Sequence, residues 1–219
     1  NILYASLSLF IAGSSIGLYL NYVCGKNVVL ILGLVGVFLG FFYCARPFRI
    51  GYGSFGELAA GVGFGPLMVS GSYYVQTQNL PFSIFLISMP VGILIALVLL
   101  INEFPDHLSD KASGKRTQVV VLGKEKAMIL YHSLLVSVYL AIVFLVAFGL
   151  LPVMCLITLL SAPLAIKAII VSRKNFDKIY ELLPANASTV GLHFLIGVLL
   201  CVGFALDKVI ILSRYYKGG

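Results

Sequence analysis

Apolar residues run along this chain in blocks of about twenty, and polar residues gather in the short stretches between them. The blocks cover roughly residues 2 to 23, 27 to 44, 56 to 76, 82 to 102, 127 to 149, 152 to 172 and 187 to 206. As helices rising about 1.5 Å per residue, they match a hydrocarbon core about 30 Å thick. A membrane β-barrel would instead alternate polar and apolar positions in strands of about ten residues, and these runs do not alternate. The pattern predicts an all-α integral membrane protein, a bundle of seven transmembrane helices joined by connections that Gly and Pro mark.

Composition agrees. Of 219 residues, 60% are hydrophobic and 11% charged, against about 25% charged in soluble domains, and the mean hydropathy is +1.06. A soluble globular protein is excluded. The net charge of +7 does not indicate nucleic acid, because no water-exposed basic domain exists to bind it. The excess follows topology instead. Arg46 and Arg49 lie between spans two and three; Lys111, Lys115, Arg116, Lys124 and Lys126 between four and five; Arg173, Lys174 and Lys178 between six and seven. The opposite connections carry only Lys26. By the positive-inside rule the basic connections are cytoplasmic. The same connections hold Glu57, Glu103, Asp106, Asp110, Glu125, Asp177 and Glu181, seven of the eight acids.

Polar chemistry is thus expected at one membrane face. A transporter places ionisable groups near the midplane, where Lys167 alone comes close. Cys24, Cys44, Cys155 and Cys201 lack CxxC spacing and read as small packing residues. The chain opens at Asn1 with an apolar run and no initiator Met or basic leader, so it is expected to be a piece of a longer protein.

The most informative stretch is NEFPDHLSDKASGKRT, residues 102–117. If the fourth helix continues past the membrane edge, Asn102, Asp106 and Asp110 recur every four residues and share one face. Two carboxylates and an amide carbonyl suit Mg²⁺, which binds through a few carboxylates, waters and phosphate oxygens. Pro105 can bend the helix there. Lys111, Lys115 and Arg116 follow as cations for anionic oxygens. The competing reading is a solvated loop whose acids and bases pair. Gly114, Lys115 and Thr117 do not complete a P-loop, and Gly61, Gly63 and Gly65 read as helix packing rather than a dinucleotide fingerprint. His132 and His193 read as packing or helix-end residues. The sequon at Asn186 is expected to be unused on the cytoplasmic side.

Residues 102–117, followed by the VVVLG run at 119–123, resemble the second aspartate-rich motif of the UbiA-type intramembrane prenyltransferases. The stretch from Phe41 to Gln78 is similar to the branch that prenylates dihydroxynaphthoate in menaquinone synthesis. The resemblance covers essentially the whole chain and implies a nine-helix fold with a cavity open to the cytoplasm. The only NxxxDxxxD run here, Asn102 to Asp110, belongs to that second motif; the family's first motif, of the same type on its second helix, has no further match in this sequence. The chain is therefore expected to supply helices three to nine as a single domain, 1–219, with a cytoplasmic loop at 103–126 carrying the second motif.

The resemblance implies Mg²⁺ bound by Asp106 and Asp110 with Asn102 on the same face, and diphosphate contacts from Arg49, Lys111, Lys115 and Arg116. It places Tyr43 in the same basic loop and implies a catalytic role for it beside Asp106 and Asp110. Phe64, Tyr73 and Tyr74 are candidate aromatic walls for an allylic cation, and His107 a candidate contact for acceptor or phosphate. The implied partners are a polyprenyl diphosphate, an aromatic acceptor and the lipid bilayer. Other acceptors (a glycerol phosphate lipid, hydroxybenzoate, haem or chlorophyllide) remain open, as does a cation-coupled transporter using the same carboxylates.

Overall fold

The computed structural model describes residues 2–217, and within them every regular element is helical. Helix α1 (Ile2–Cys24) and α2 (Val28–Cys44) form a hairpin. Gly25, Lys26 and Asn27, all at positive φ, turn the chain between them. Asn21 locks the turn: its Oδ1 accepts from the Leu30 amide at 3.0 Å, and its Nδ2 donates to Asn27 Oδ1 at 3.1 Å. After an irregular linker the chain is helical from Gly56 to Thr77, as α3 (Gly56–Val62), a π-helical turn (Gly63–Leu67) and α4 (Met68–Thr77). Pro66 sits within that turn. Lacking an N–H, it breaks the regular ladder, which accounts for the local widening.

Helix α5 (Phe82–Ala112) is followed by a short α6 (Gln118–Leu122) and α7 (Lys124–Ala147). The sixth span opens as a 3₁₀ segment, Val153–Ser161, before α8 (Ala162–Asn175), and α9 runs from Ile179 to Lys217. Five helical stretches among the described residues are long and apolar enough to cross a membrane: Tyr4–Cys24, Phe82–Ala112, Lys124–Ala147, Val153–Asn175 and Ile179–Ser213. Helix α2 is apolar but shorter, and the 56–77 stretch is interrupted by its π turn. The stretch 103–126, expected as a loop, is mostly helical. Helix α5 runs on to Ala112 in spite of Pro105, and α6 and the start of α7 take up 118–122 and 124–126. Glu103 helps explain this: its Oε2 accepts from the Val119 amide at 3.2 Å, satisfying a donor at the start of α6.

The continuous core lies between α5, α7, α8 and α9, around Leu97, Ile101, Phe104, Tyr131, Val138, Ile142, Leu192 and Ile196. Three polar pairs are built into it, in keeping with the cost of burying polar groups unpaired. The Tyr131 hydroxyl bonds Thr189 Oγ1 at 2.6 Å, Tyr139 bonds Ser161 at 2.7 Å, and His132 Nε2 bonds Ser172 Oγ at 2.9 Å. His132 is therefore a packing residue of the α7–α8 contact, as its sequence context predicts. Lys167 is exposed on α8, outside this core.

Candidate functional site

Two linkers far apart in sequence are sewn together at one end of the bundle. The Arg116 amide donates to the Tyr52 carbonyl at 2.8 Å, Ser54 Oγ donates to the Arg116 carbonyl at 2.9 Å, and Gln118 Nε2 donates to the Ser54 carbonyl at 2.7 Å. This lacing joins the α2–α3 linker, with its Arg49, to the α5–α6 linker, with its Lys115 and Arg116. Tyr52 is the shared platform. The Arg49 guanidinium lies 5.0 Å and the Lys115 ammonium 5.4 Å from its ring centroid, within cation–π range. Arg49 holds a left-handed backbone, φ 46 and ψ 52, costly for a residue with a Cβ. Its buried Nε has no hydrogen-bond partner among the described residues.

Arg49 and Arg116 line a cavity of about 740 Å³ with Tyr52, Phe48, Phe55 and Gly114. Leu39 and Ala59 also border a second cavity of about 700 Å³ between α2, α3 and α5, lined by Tyr43, Phe64 and Gly36. A cavity that carries two arginines thus lies against an apolar groove, with Leu39 and Ala59 in the wall of both.

The acids come from α5. Because that helix extends to Ala112, Asn102, Asp106 and Asp110 fall on one face. Asp106 is exposed, whereas Asp110 is buried and pairs through Oδ1 with Lys115 Nζ at 2.7 Å. That hydrogen bond raises the Lys115 pKa, so the ammonium stays charged. Asn102 Oδ1 accepts from Asn186 Nδ2 at 2.7 Å. No cluster of three or more His, Cys, Asp or Glu side chains suited to a metal occurs among the described residues. The donor set is two carboxylates and an amide on one helix face, which fits a hard cation that takes its remaining ligands from water and phosphate.

The other sequence candidates separate. Lys111 is exposed beside Asp110. His107 is half-buried, with Nδ1 unpartnered among the described residues. Phe64 faces the groove, but Tyr73 and Tyr74 sit on α4, about 14 Å of helix rise further on. Tyr74 is buried, its hydroxyl 3.5 Å from the Gly25 carbonyl at the far hairpin turn, so it packs the fold there. The ring beside the cations is Tyr52, with Phe48 and Phe55 in the wall of the same cavity; sequence reading did not single out any of the three. It also gave no role to Glu57, whose two carboxylate oxygens are buried without a partner among the described residues and which lies close enough to Glu103 to interact. An acid inside an apolar helix was the signal available for Glu57. Asn186 was considered only as a sequon; its burial against α5 removes it from modification.

The sequence profile of the UbiA prenyltransferase family matches residues 1–196. The chain is 29% identical over 204 residues to the 1,4-dihydroxy-2-naphthoate octaprenyltransferase of Bacillus subtilis, covering 92% of this chain and 65% of that protein. It is 33% identical over 180 residues to the 2-carboxy-1,4-naphthoquinone phytyltransferase of Synechocystis sp., covering 80% and 57%. With the 1,4-dihydroxy-2-naphthoate octaprenyltransferase of Escherichia coli it shares 30% identity over 179 residues, covering 82% and 58%. The chain therefore spans less than two thirds of the length of each of these relatives. It belongs to the UbiA prenyltransferase family.

Proposed function

We propose that this UbiA-family chain forms the larger part of an enzyme that transfers an isoprenyl chain from its diphosphate to an aromatic acceptor of the dihydroxynaphthoate type. The observation that carries the reading is that Arg49, Lys115 and Arg116 gather around Tyr52 at a cavity that shares the Leu39 and Ala59 wall with a neighbouring apolar cavity lined by Tyr43 and Phe64. An isoprenyl diphosphate has the same two-part character. The names of the relatives support the acceptor class.

In this reading Arg49 and Arg116 bind diphosphate oxygens from one wall, and Lys115, held by Asp110, presents a third cation. Asp106 and Asp110 would hold Mg²⁺, with Asn102 on the same face, and the ion would neutralise charge on the departing diphosphate. Donors fixed in advance in a partly dehydrated cavity act more strongly than in water. Tyr43 lines the groove together with Phe64, which offers a ring face to positive charge developing on the allylic carbon. The apolar groove orders the tail and excludes water. The short α2 and the 56–77 stretch complete seven crossings, with the cationic mouth in the cytoplasm by charge asymmetry.

The test is a membrane assay with an isoprenyl diphosphate and dihydroxynaphthoate, following diphosphate release and prenylated product. Stoichiometric release that requires both substrates and a divalent metal is expected. Faster turnover of hydroxybenzoate or a glycerol phosphate derivative would overturn the acceptor assignment, and solute flux without diphosphate release would overturn the reaction class.

A further inference from the structure

Pro105 leaves a vacancy in α5 that another helix fills. In an α-helix the carbonyl of residue i−4 accepts from the amide of residue i, and proline has no amide hydrogen. The carbonyl deprived here belongs to Ile101, a residue with no exposed surface. Burying a carbonyl without a donor is costly. Asn186 of α9, itself buried, supplies the donor: its Nδ2 lies 3.4 Å from the Ile101 carbonyl. The same nitrogen donates to Asn102 Oδ1 at 2.7 Å. One side chain from α9 therefore satisfies the backbone that Pro105 opened and holds the first side chain of the Asn102, Asp106, Asp110 face.

We propose that Asn186 is a positioning residue for that face, fixing the orientation of the Asn102 amide and so the cation affinity of the site. The inference rests on the proposed reading of Asn102, Asp106 and Asp110 as a cation site. An amide with one lone pair committed to Asn186 keeps its second lone pair in a fixed direction, whereas a free Asn102 rotates about two torsions. Groups that orient metal ligands typically matter about 10- to 100-fold in affinity or activity. The arrangement also gives Pro105 a purpose: by removing the intrahelical donor, it makes the acid-bearing end of α5 depend on α9.

The test uses the full-length protein in detergent, with Mn²⁺ as the probe and its binding followed by electron paramagnetic resonance, beside thermal unfolding. Asn186→Ala should weaken Mn²⁺ binding at least tenfold, Asn102→Ala should do so comparably, and the double variant should be little weaker than the worse single one. Strictly multiplicative losses would overturn the proposal, as would wild-type affinity in Asn186→Ala. Because that variant also orphans the Ile101 carbonyl, it is repeated in a Pro105→Ala background, where the restored amide can satisfy Ile101. There the stability cost of losing Asn186 should shrink while the affinity loss persists. An affinity loss that disappears with the stability cost would make Asn186 merely structural. Wild-type protein that binds no Mn²⁺ would overturn the cation site itself, an outcome distinct from a site that binds Mn²⁺ without regard to Asn186.

Discussion

Helices α2 and α5 face each other across the apolar groove and are built in opposite ways. Among the described residues α2 buries none of its own, whereas α5 buries ten, including Leu97, Ile101 and Phe104. Their glycines show the same contrast. A Cβ added at Gly33, Gly36 or Gly40 of α2 would meet nothing within 4 Å among the described residues. One added at Gly92 of α5 would stand 2.6 Å from the Gly61 carbonyl oxygen, and one at Gly65 would stand 2.7 Å from Gly92 Cα. Glycine on α2 leaves room, and glycine on α5 lets backbones touch. One wall is therefore a packed support that carries the acids, and the other shapes free volume.

The largest expected effect falls on the packed wall. Replacing Asp106 or Asp110 by Ala should lower prenyl transfer by about 10²-fold or more, while the protein still inserts and the variant at the exposed Asp106 unfolds near the wild-type temperature. Full turnover in either variant, or wild-type turnover after rigorous removal of divalent metal with EDTA, would break the assignment of chemistry to α5. Next comes Gly92→Val, which drives a branched side chain into Gly61. Overpacking typically costs about 1–3 kcal/mol, so a clear drop in thermal stability in detergent is expected, with activity falling as the acid-bearing end loses its support. Unchanged stability would erase the difference between the walls.

Arg49→Ala should raise KM for the isoprenyl diphosphate by about tenfold, the scale of one charge-assisted contact, with less effect on KM for the acceptor. Equal effects on both substrates would show that Arg49 supports the loop rather than the diphosphate. A sharper comparison comes from Gly36→Leu on α2. Stability should stay within about 1 kcal/mol of wild type, yet the filled groove should shift preference toward shorter isoprenyl diphosphates. The smallest effect is reserved for Gly36→Ala, expected to change neither chain-length preference nor stability by more than about 1 kcal/mol. A large loss from that single methyl would mean that the groove is tighter than the α2 wall implies.

The sequence by itself determined the helical membrane class, the positions of the apolar segments and the polarised distribution of charge. These follow from local composition: a run of about twenty apolar residues must satisfy its backbone internally wherever lipid surrounds it. The spacing of Asn102, Asp106 and Asp110 was equally legible, because helix periodicity is a local property. Tertiary structure alone decided which distant residues share the site. Arg49 and Lys115 meet at Tyr52 because bonds through Arg116, Ser54 and Gln118 lace the two linkers together. Tyr74 left the expected pocket because its helix carries it toward Gly25. Asn186 looked like a sequon until the missing amide of Pro105 turned it toward Ile101. Periodicity places a side chain on a face, but hydrogen-bond deficits and packing space choose its partner, and for Asn186 and Ile101 that partner lies 85 residues away along the chain.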